Sequence, residues 1–175
     1  MKAMKRLVPF LLLAAVGVGP ASGQVSALRG HDSNAPVDVA ADRIEVQDRA
    51  DRAIFSGNVV VRQGELTLTA SRLTVAYSSG GGVELRRIDA TGGVTVRSPS
   101  ETARGDVGIY DLERRIITLI GGVTLVQRDA RVNGGRLTID LDSGRAVIDG
   151  GGPPGVTSQG GRVTGTFTVP QKKGG

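Results

Sequence analysis

Cysteine is absent from this chain of 175 residues, so disulfide bonds, thiolate metal sites and cysteine nucleophiles are excluded. The only histidine is His31, which we expect in a solvated loop, and one imidazole cannot supply a histidine-rich metal cage. Aromatic residues make up only 3% of the chain, whereas glycine occurs 27 times, which favours short strands and turns over a helical bundle. Because no P-loop, GxSxG or HExxH motif occurs either, we predict neither an enzyme nor a bound cofactor or metal.

The positive charge of the chain is concentrated at its beginning. The formal net charge is +5, but three cations (Lys2, Lys5 and Arg6) stand in the first 23 residues, where there is no acid. The remaining residues therefore carry a net charge of only +2. This balance gives no support to a nucleic-acid partner.

The first 23 residues have the three-part pattern of a cleaved signal peptide. A basic start precedes an apolar run at 7–19, and small residues follow at 21–23. The apolar run is too short for a spanning helix, which needs about 20 residues. We therefore expect an exported chain with a flexible segment at 24–35, one domain at 36–170 and a basic tail at 171–175.

Two short phrases alternate along the rest of the sequence. The first reads Ala41-Asp42-Arg43-Ile44-Glu45-Val46, then Ala70-Ser71-Arg72-Leu73-Thr74-Val75, then Gly134-Gly135-Arg136-Leu137-Thr138-Ile139. The second reads Gly57-Asn58-Val59-Val60-Val61, then Gly92-Gly93-Val94-Thr95-Val96, then Gly121-Gly122-Val123-Thr124-Leu125. A period of about 30 residues with two strand phrases in each copy is typical of stacked hairpins.

Apolar residues alternate with polar ones inside each phrase, as in Leu137, Ile139 and Leu141. A period of two predicts strands with one dry and one wet face, so the fold class is all-β. Turns are expected at Gln63-Gly64, at 79–82, at Asn133-Gly134 and at 142–144, and a final weak strand at 162–169. The strand at 107–112 is apolar on both faces, which indicates either a bulge or a doubly covered strand. Alternation leaves open whether the interior is a filled core or an apolar slot.

Several phrases together resemble the OstA-like domain of lipopolysaccharide transport. They are the segment from Phe55 to Gly64 with the strand Ala70 to Val75, the start Pro36-Val37-Asp38-Val39, and Gly105-Asp106 followed by Tyr110-Asp111. The resemblance covers about residues 36–149 and implies an antiparallel β-jellyroll of two sheets in a V shape, built from hairpin repeats and open at its ends. Such domains occur fused to an outer-membrane barrel, with a retained anchor, or free in the periplasm, and the leader favours the last.

The same resemblance implies partners and site residues. The partners are lipopolysaccharide, an inner-membrane-anchored OstA-like protein, an outer-membrane barrel with an OstA-like N-terminal domain, and further copies of the chain bound head to tail. Val37 and Val39 match positions that face bound lipid, Tyr110 and Leu112 match another pair, and Val96 falls near a third. The other candidates point inward by parity and form either lipid lining or core: Ile44, Val46, Phe55, Val59, Val61, Leu73 and Val75. Gly108 departs from the family's pattern, where a larger inward residue is usual.

Two alternatives to a lipid carrier remain. A module of the same fold, or a secreted β-solenoid, that binds only protein would assemble end to end without taking up lipid. A secreted enzyme on a β-helix would need a ladder of inward-facing acids, which the sequence lacks. The carrier is the reading that combines the leader, the alternation and the family phrases.

Overall fold

A computed structural model describes residue 28 and residues 31–128, 130–150 and 161–167. The predicted signal peptide at 1–23 and the basic tail at 171–175 lie outside these residues, as do positions 151–155 of the Gly/Pro loop. Within the described residues, no helix has the length and apolar character needed to cross a membrane.

The described chain is built almost entirely from antiparallel strands, as the alternation predicts, and the all-β fold class is confirmed. The strands are β1 (Val37–Ala40), β2 (Arg43–Gln47), β3 (Arg52–Gln63), β4 (Leu66–Ser78), β5 (Glu84–Arg97), β6 (Glu101–Asp111), β7 (Ile116–Gln127), β8 (Ala130–Asp140), β9 (Arg145–Asp149) and β10 (Thr164–Thr166). A 3₁₀ turn at Asp48–Ala50 joins β2 to β3.

Consecutive strands from β2 to β9 pair in one continuous sheet that does not close on itself. β1 and β2 both pair with β3, at its end and at its beginning respectively, so they act as one interrupted edge strand. β10 and β9 pair in the same way with the two parts of β8 at the opposite edge. The sheet therefore has two rows of turns. Rim 1 contains the turns at 48–51, 79–83, 112–115 and 141–144, and rim 2 contains those at 64–65 and 98–100.

Each long strand pair is interrupted near its middle by a bulge. The pairing register shifts between Ser56 and Val59 on β3, and equivalent shifts occur in the four pairs that follow. On β3, β5 and β7 the bulge contains two successive residues with positive φ: Gly57 and Asn58, Gly92 and Gly93, Gly121 and Gly122. Bulges bend a strand, so a row of them bends the whole sheet along one line.

The bulges explain why the two sequence phrases alternate. The second residue of the first phrase packs directly over the first glycine of the second phrase on the neighbouring strand. A Cβ atom at Gly57 would overlap the Asp42 carboxylate, and one at Gly92 would overlap the Ser71 side chain. Asp42 also accepts a hydrogen bond of 2.9 Å from the Asn58 side chain. The repeat thus encodes both the bulge that bends the sheet and the polar side chain that packs over it.

The core lies between the two halves of the bent sheet. Leu66 and Leu68 come before the bulge of β4, and Leu73 and Val75 come after it, yet all four belong to one buried hydrophobic cluster. Since the described residues contain no helical layer, the two halves of the sheet must cover each other. Burial of each such side chain contributes about 2 kcal/mol. This arrangement confirms the predicted antiparallel fold of two halves built from hairpin repeats.

Details of the predicted strands need correction. The prediction of a turn at Asn133-Gly134 is wrong, because both residues lie inside β8, where the Ile148 side chain occupies the space beside Gly134. Of the predicted final strand at 162–169, the structure describes residues up to 167, and within these the strand consists of the three residues of β10. The bulge of β6 lies between Arg104 and Val107, just before the segment that is apolar on both faces. Val107 to Asp111 pair regularly with both neighbouring strands, so a bulge does not explain that segment.

Candidate functional site

An apolar groove opens between the two halves of the sheet at the edge formed by β1 and β2. Its volume is about 580 Å³, and hydrophobic side chains form most of its wall. The lining residues are Val37, Val39, Val46, Asp48, Ala53, Phe55, Val75, Tyr77, Ser79, Val83 and Leu85. Val83 is 75% exposed at the entrance, whereas Val75 is 3% exposed at the inner end.

The pairing register explains why these side chains meet. Val46, Ala53 and Val75 stand opposite one another on β2, β3 and β4, so they share the inner face near rim 1. Val37 and Val39 belong to the other half of the sheet, where β1 pairs with the end of β3. The groove is therefore bounded from both sides, and it stays open where no further strand covers it.

The predicted lipid-facing residues fall into three groups. Val37, Val39, Val46, Phe55 and Val75 line the groove. Val59, Val61, Leu73, Val96 and Tyr110 are at most 5% exposed and belong to the closed part of the core. Ile44 is 56% exposed on the edge strand β2, and Leu112 is partly buried against the core.

Some groove residues were not among the sequence-based candidates. Tyr77 continues the inward alternation of Leu73 and Val75, which the sequence does show. Leu85 pairs with Tyr77 only because the register shifts between Ala76 and Tyr77, and no sequence pattern marks that shift. The alternation of residues alone therefore does not predict which side chains of β5 line the groove.

Polar groups are confined to one side of the groove entrance. The Tyr77 hydroxyl lies 3.5 Å from Asp48 Oδ1, and the Ser79 hydroxyl donates to Asp51 Oδ1 at 3.2 Å. Partial desolvation, followed by the nearby charges of Asp48 and Asp51, raises the pKa of Tyr77. Water can thus hydrate this side of the entrance, next to the apolar wall.

A buried amide lies beside the groove strand β1, opposite Val37. Gln63, at rim 2, is 3% exposed and uses its full hydrogen-bonding capacity. Its Oε1 accepts from the Tyr110 hydroxyl at 2.9 Å and lies 3.2 Å from His31 Nε2. Its Nε2 donates to the carbonyls of Ser33 (3.0 Å) and Ala35 (3.1 Å). Burial is the main cause that raises the pKa of Tyr110, so its hydroxyl remains a donor at neutral pH.

His31 differs from the sequence expectation. It is half-buried and contacts Gln63, and its Nδ1 is buried without a hydrogen-bond partner. The prediction of a solvated loop histidine is therefore wrong, because the chain before β1 packs back onto the sheet. Among the residues that the structure describes, no group of three or more histidine, aspartate or glutamate side chains is placed to hold a metal ion.

Gly108 points inward, as its parity predicts. A Cβ atom there would lie 2.9 Å from Val94 Cγ1 and 3.2 Å from Leu119 Cδ2. Its neighbours therefore fill the space that a larger side chain would occupy. The missing side chain leaves no cavity at this point.

Comparison with known proteins identifies relatives over most of the sheet. Residues 38–145 match the family model described as "LptA/(LptD N-terminal domain) LPS transport protein". An uncharacterized protein of Rhizobium meliloti is 34% identical over 121 residues, which cover 65% of each chain. The LPS-assembly protein LptD of Yersinia pestis is 36% identical over 88 residues, 49% of this chain but only 11% of that protein.

Two further proteins match over most of this chain. The lipopolysaccharide export system protein LptA of Haemophilus influenzae is 25% identical over 144 residues, which cover 79% of this chain and 83% of that protein. The crystal structure of LptH, described as the LptA homologous periplasmic component of the lipopolysaccharide transport device of Pseudomonas aeruginosa, aligns with a TM-score of 0.69. It covers 79% of this chain and 99% of that one at 21% identity, a likeness of fold.

Proposed function

Because the chain belongs to the LptA/LptD N-terminal domain family of lipopolysaccharide transport proteins, we propose that it carries lipopolysaccharide through the periplasm. The groove between the two halves of the sheet would hold acyl chains, while the sugars of the lipid remain in water. The groove carries this proposal, because its wall combines apolar side chains from both halves with an open end.

The energetics of a lipid chain explain why a carrier needs such a groove. Exposing an acyl chain of about a dozen carbons to water costs roughly 10 kcal/mol, at about 0.8 kcal/mol per methylene group. A volume of about 580 Å³ can shelter part of a lipid but not several whole chains. The residues of the closed core, such as Leu73 and Tyr110, would contact lipid only if the interior opened further.

Assembly of several copies would lengthen the groove. Both edges of the sheet are unpaired in the described chain, and edge strands readily add another strand. Exposed apolar side chains lie at both edges, with Ile44 and Val46 on β2 and Val147 on β9. Pairing of one edge with the opposite edge of the next copy would give head-to-tail growth. OstA-like partners anchored in the inner membrane and fused to the outer-membrane barrel would use the same two edges.

Photo-crosslinking along β1 tests the lipid-binding proposal. A photoreactive amino acid is placed singly at positions 37, 38, 39 and 40, and each protein is irradiated with purified lipopolysaccharide. Positions 37 and 39 line the groove, whereas Asp38 and Ala40 are exposed on the outer face of the same strand. We expect crosslinks from the two inner positions and at least tenfold fewer from the outer ones. Equal labelling at all four positions would refute binding in the groove.

A protein-binding module without lipid uptake is the second candidate, and the exposed apolar edges favour it. It would show end-to-end assembly at rising concentration together with no lipid crosslinks at any of the four positions. The two candidates therefore give opposite results in the same set of variants.

A further inference from the structure

The chain just before β1 crosses the open side of the bent sheet and contacts both rims. Leu28 and residues 31–35, which we call the strap, are held by rim 2 through Gln63 and by rim 1 through Arg115. Arg115 Nη2 donates to Asn34 Oδ1 at 2.9 Å. At rim 2 the Leu28 amide also donates to the carboxylate of Glu101. The strap thus adds a second connection between the two rims, beside the hydrogen bond from Tyr110 to Gln63.

The strap also fills part of the interior. Leu28 is 3% exposed and belongs to the same buried cluster as the inner faces of the strands. A small cavity of about 160 Å³ remains beside it, lined by Leu28, His31, Glu65, Leu66, Ser98, Pro99 and Ser100. The strap therefore covers the interior at a place where the two halves of the sheet do not meet.

Two polar groups, one in the strap and one beneath it, are incompletely satisfied. Glu101 is 6% exposed, and its second carboxylate oxygen, Oε2, is buried without a hydrogen-bond partner. His31 Nδ1 is buried in the same condition. Unsatisfied buried polar groups favour exposure to water, so they offset part of the stabilisation that Leu28 and the Gln63 hydrogen bonds provide. A contact of this kind can open without unfolding the sheet.

We propose that the strap is a releasable closure: it seals the side of the trough in the empty protein and lifts when a lipid chain passes from the groove into the closed core. This inference rests on the proposed lipid binding, and it adds how far an acyl chain can enter the interior of the protein. With the strap closed, the Tyr110 hydroxyl donates to Gln63, and neither of these residues lines the groove. With the strap lifted, Gln63 loses its bonds to Ser33 and Ala35 and can separate from rim 1.

Locking the strap tests the proposal directly. Because the chain has no cysteine, an Asn34→Cys, Arg115→Cys variant carries only the two introduced thiols, and a short bis-methanethiosulfonate reagent links them reversibly. Binding of lipopolysaccharide is measured before and after the link is cleaved with reductant. We expect the linked protein to bind at least tenfold less than the same protein after reduction. Equal binding would overturn the proposal.

A matched control excludes an effect of the reagent. Thr67 and Arg97 stand opposite each other on the outer face of β4 and β5. Linking cysteines at these two positions staples neighbouring strands without touching the strap. This control should bind lipid equally in the linked and reduced states, and a loss as large as that of the strap variant would overturn the proposal.

Hydrogen exchange separates failure of the strap from failure of lipid binding. The Leu28 amide reports on the strap because its bond to Glu101 breaks when the strap lifts. In the lipid-free protein we expect it to exchange at least tenfold faster than amides of the central strands, and faster still with lipopolysaccharide. If the Leu28 amide exchanged only through global unfolding, the proposed opening of the strap would be overturned, whether or not the protein binds lipid. A protein that binds no lipid even when reduced would instead refute the proposed function.

Discussion

Tyr110 donates a hydrogen bond of 2.9 Å to Gln63 although the two residues lie at opposite ends of the sheet's strands. Following the register from Tyr110 through Ile88 and Val75 leads to Ala53 on β3. Gln63 lies ten residues further along that strand, about 33 Å away if the sheet were flat, at about 3.3 Å per residue. This single bond therefore records the bend of the sheet and ties rim 1 to rim 2.

Removing the Tyr110 hydroxyl should weaken that tie without disturbing the core. In Tyr110→Phe the ring stays buried, and the Gln63 oxygen keeps only His31 as a partner. We expect a loss of about 1 kcal/mol in the free energy of unfolding, or about 3 °C in Tm, measured by thermal and urea denaturation. Tyr77→Phe is the control, because its hydroxyl makes only the 3.5 Å contact at the groove entrance. A larger loss in the control would contradict the assigned role of Tyr110.

The buried carboxyl of Glu101 should make stability fall as the pH rises. Burial raises its pKa above the usual 4.5, despite the opposing hydrogen bond from Leu28. The folded state therefore binds the proton more tightly than the unfolded state, and the stabilisation present below about pH 4.5 is lost as the pH passes the folded pKa. In Glu101→Gln this dependence disappears, and at pH 7 the variant should be more stable by about 1 kcal/mol.

Urea denaturation of both proteins between pH 4 and pH 8, at about one-unit steps, measures this effect. The difference between Glu101→Gln and the wild type should widen toward neutral pH. Glu65→Gln, at an exposed position in the turn between β3 and β4, is the control for loss of a carboxylate. A constant difference at every pH would show that the charge of Glu101 is not the cause.

The first glycine of each bulge should tolerate no side chain. Gly57 has φ of +79°, and a Cβ atom there would overlap the Asp42 carboxylate. Gly57→Ala should therefore lower the free energy of unfolding by about 2 kcal/mol. Gly81→Ala, in the turn between β4 and β5 with nothing within 4 Å of the added atom, should change it by less than about 0.5 kcal/mol. Equal effects at both positions would contradict the packing of the first phrase over the second.

A charge inside the groove should abolish lipid loading. In Val39→Asp a carboxylate would face the acyl chains, whereas in Ala40→Asp it would face water on the other side of β1. We expect Val39→Asp to bind lipopolysaccharide at least tenfold more weakly and to keep a β-type circular dichroism spectrum. Normal uptake by Val39→Asp would mean that the first strand does not line the path of the lipid.

Head-to-tail assembly should depend on the apolar edge. Ile44 is 56% exposed on β2, so Ile44→Lys removes apolar area that a neighbouring copy would cover. Light scattering across a concentration series should show association weakened several-fold, since covering part of an isoleucine contributes about 1 kcal/mol. Glu45→Lys, exposed on the other face of the same strand, is the control. Assembly that is unchanged in Ile44→Lys would place the contact elsewhere.

The alternation of residues predicted which side chains face inward but not which of them meet lipid. Val39 and Val61 pair directly across β1 and β3 and have the same parity, yet Val39 lines the groove and Val61 is 5% exposed in the core. The difference depends on how much sheet covers each of them. That cover comes from strands far away in sequence, and period-two alternation contains no information about it.

Predictions from local sequence were also wrong where a contact with a residue distant in sequence determines the backbone conformation. Asn133-Gly134 is a favourable hairpin turn in isolation, but it lies in β8 because the strand continues across the bulge and packs against Ile148. His31 is held by Gln63, 32 residues away, and nothing near it in sequence marks that contact. The glycines at 57, 92 and 121 were visible as a repeat, but their positive φ identifies them as bends only in the folded sheet.

The repeated bulge has a consequence for how such molecules vary in size. Each hairpin carries its own bend, fixed by a glycine and the small polar residue above it, so curvature does not depend on how many hairpins are present. Duplication of one 30-residue unit would add about two strand spacings, roughly 9–10 Å, to the span of the molecule while its cross-section stayed the same. The number of hairpins therefore sets the length of the molecule, whereas the bulges set its cross-section. A chain with more hairpins would keep the same fold.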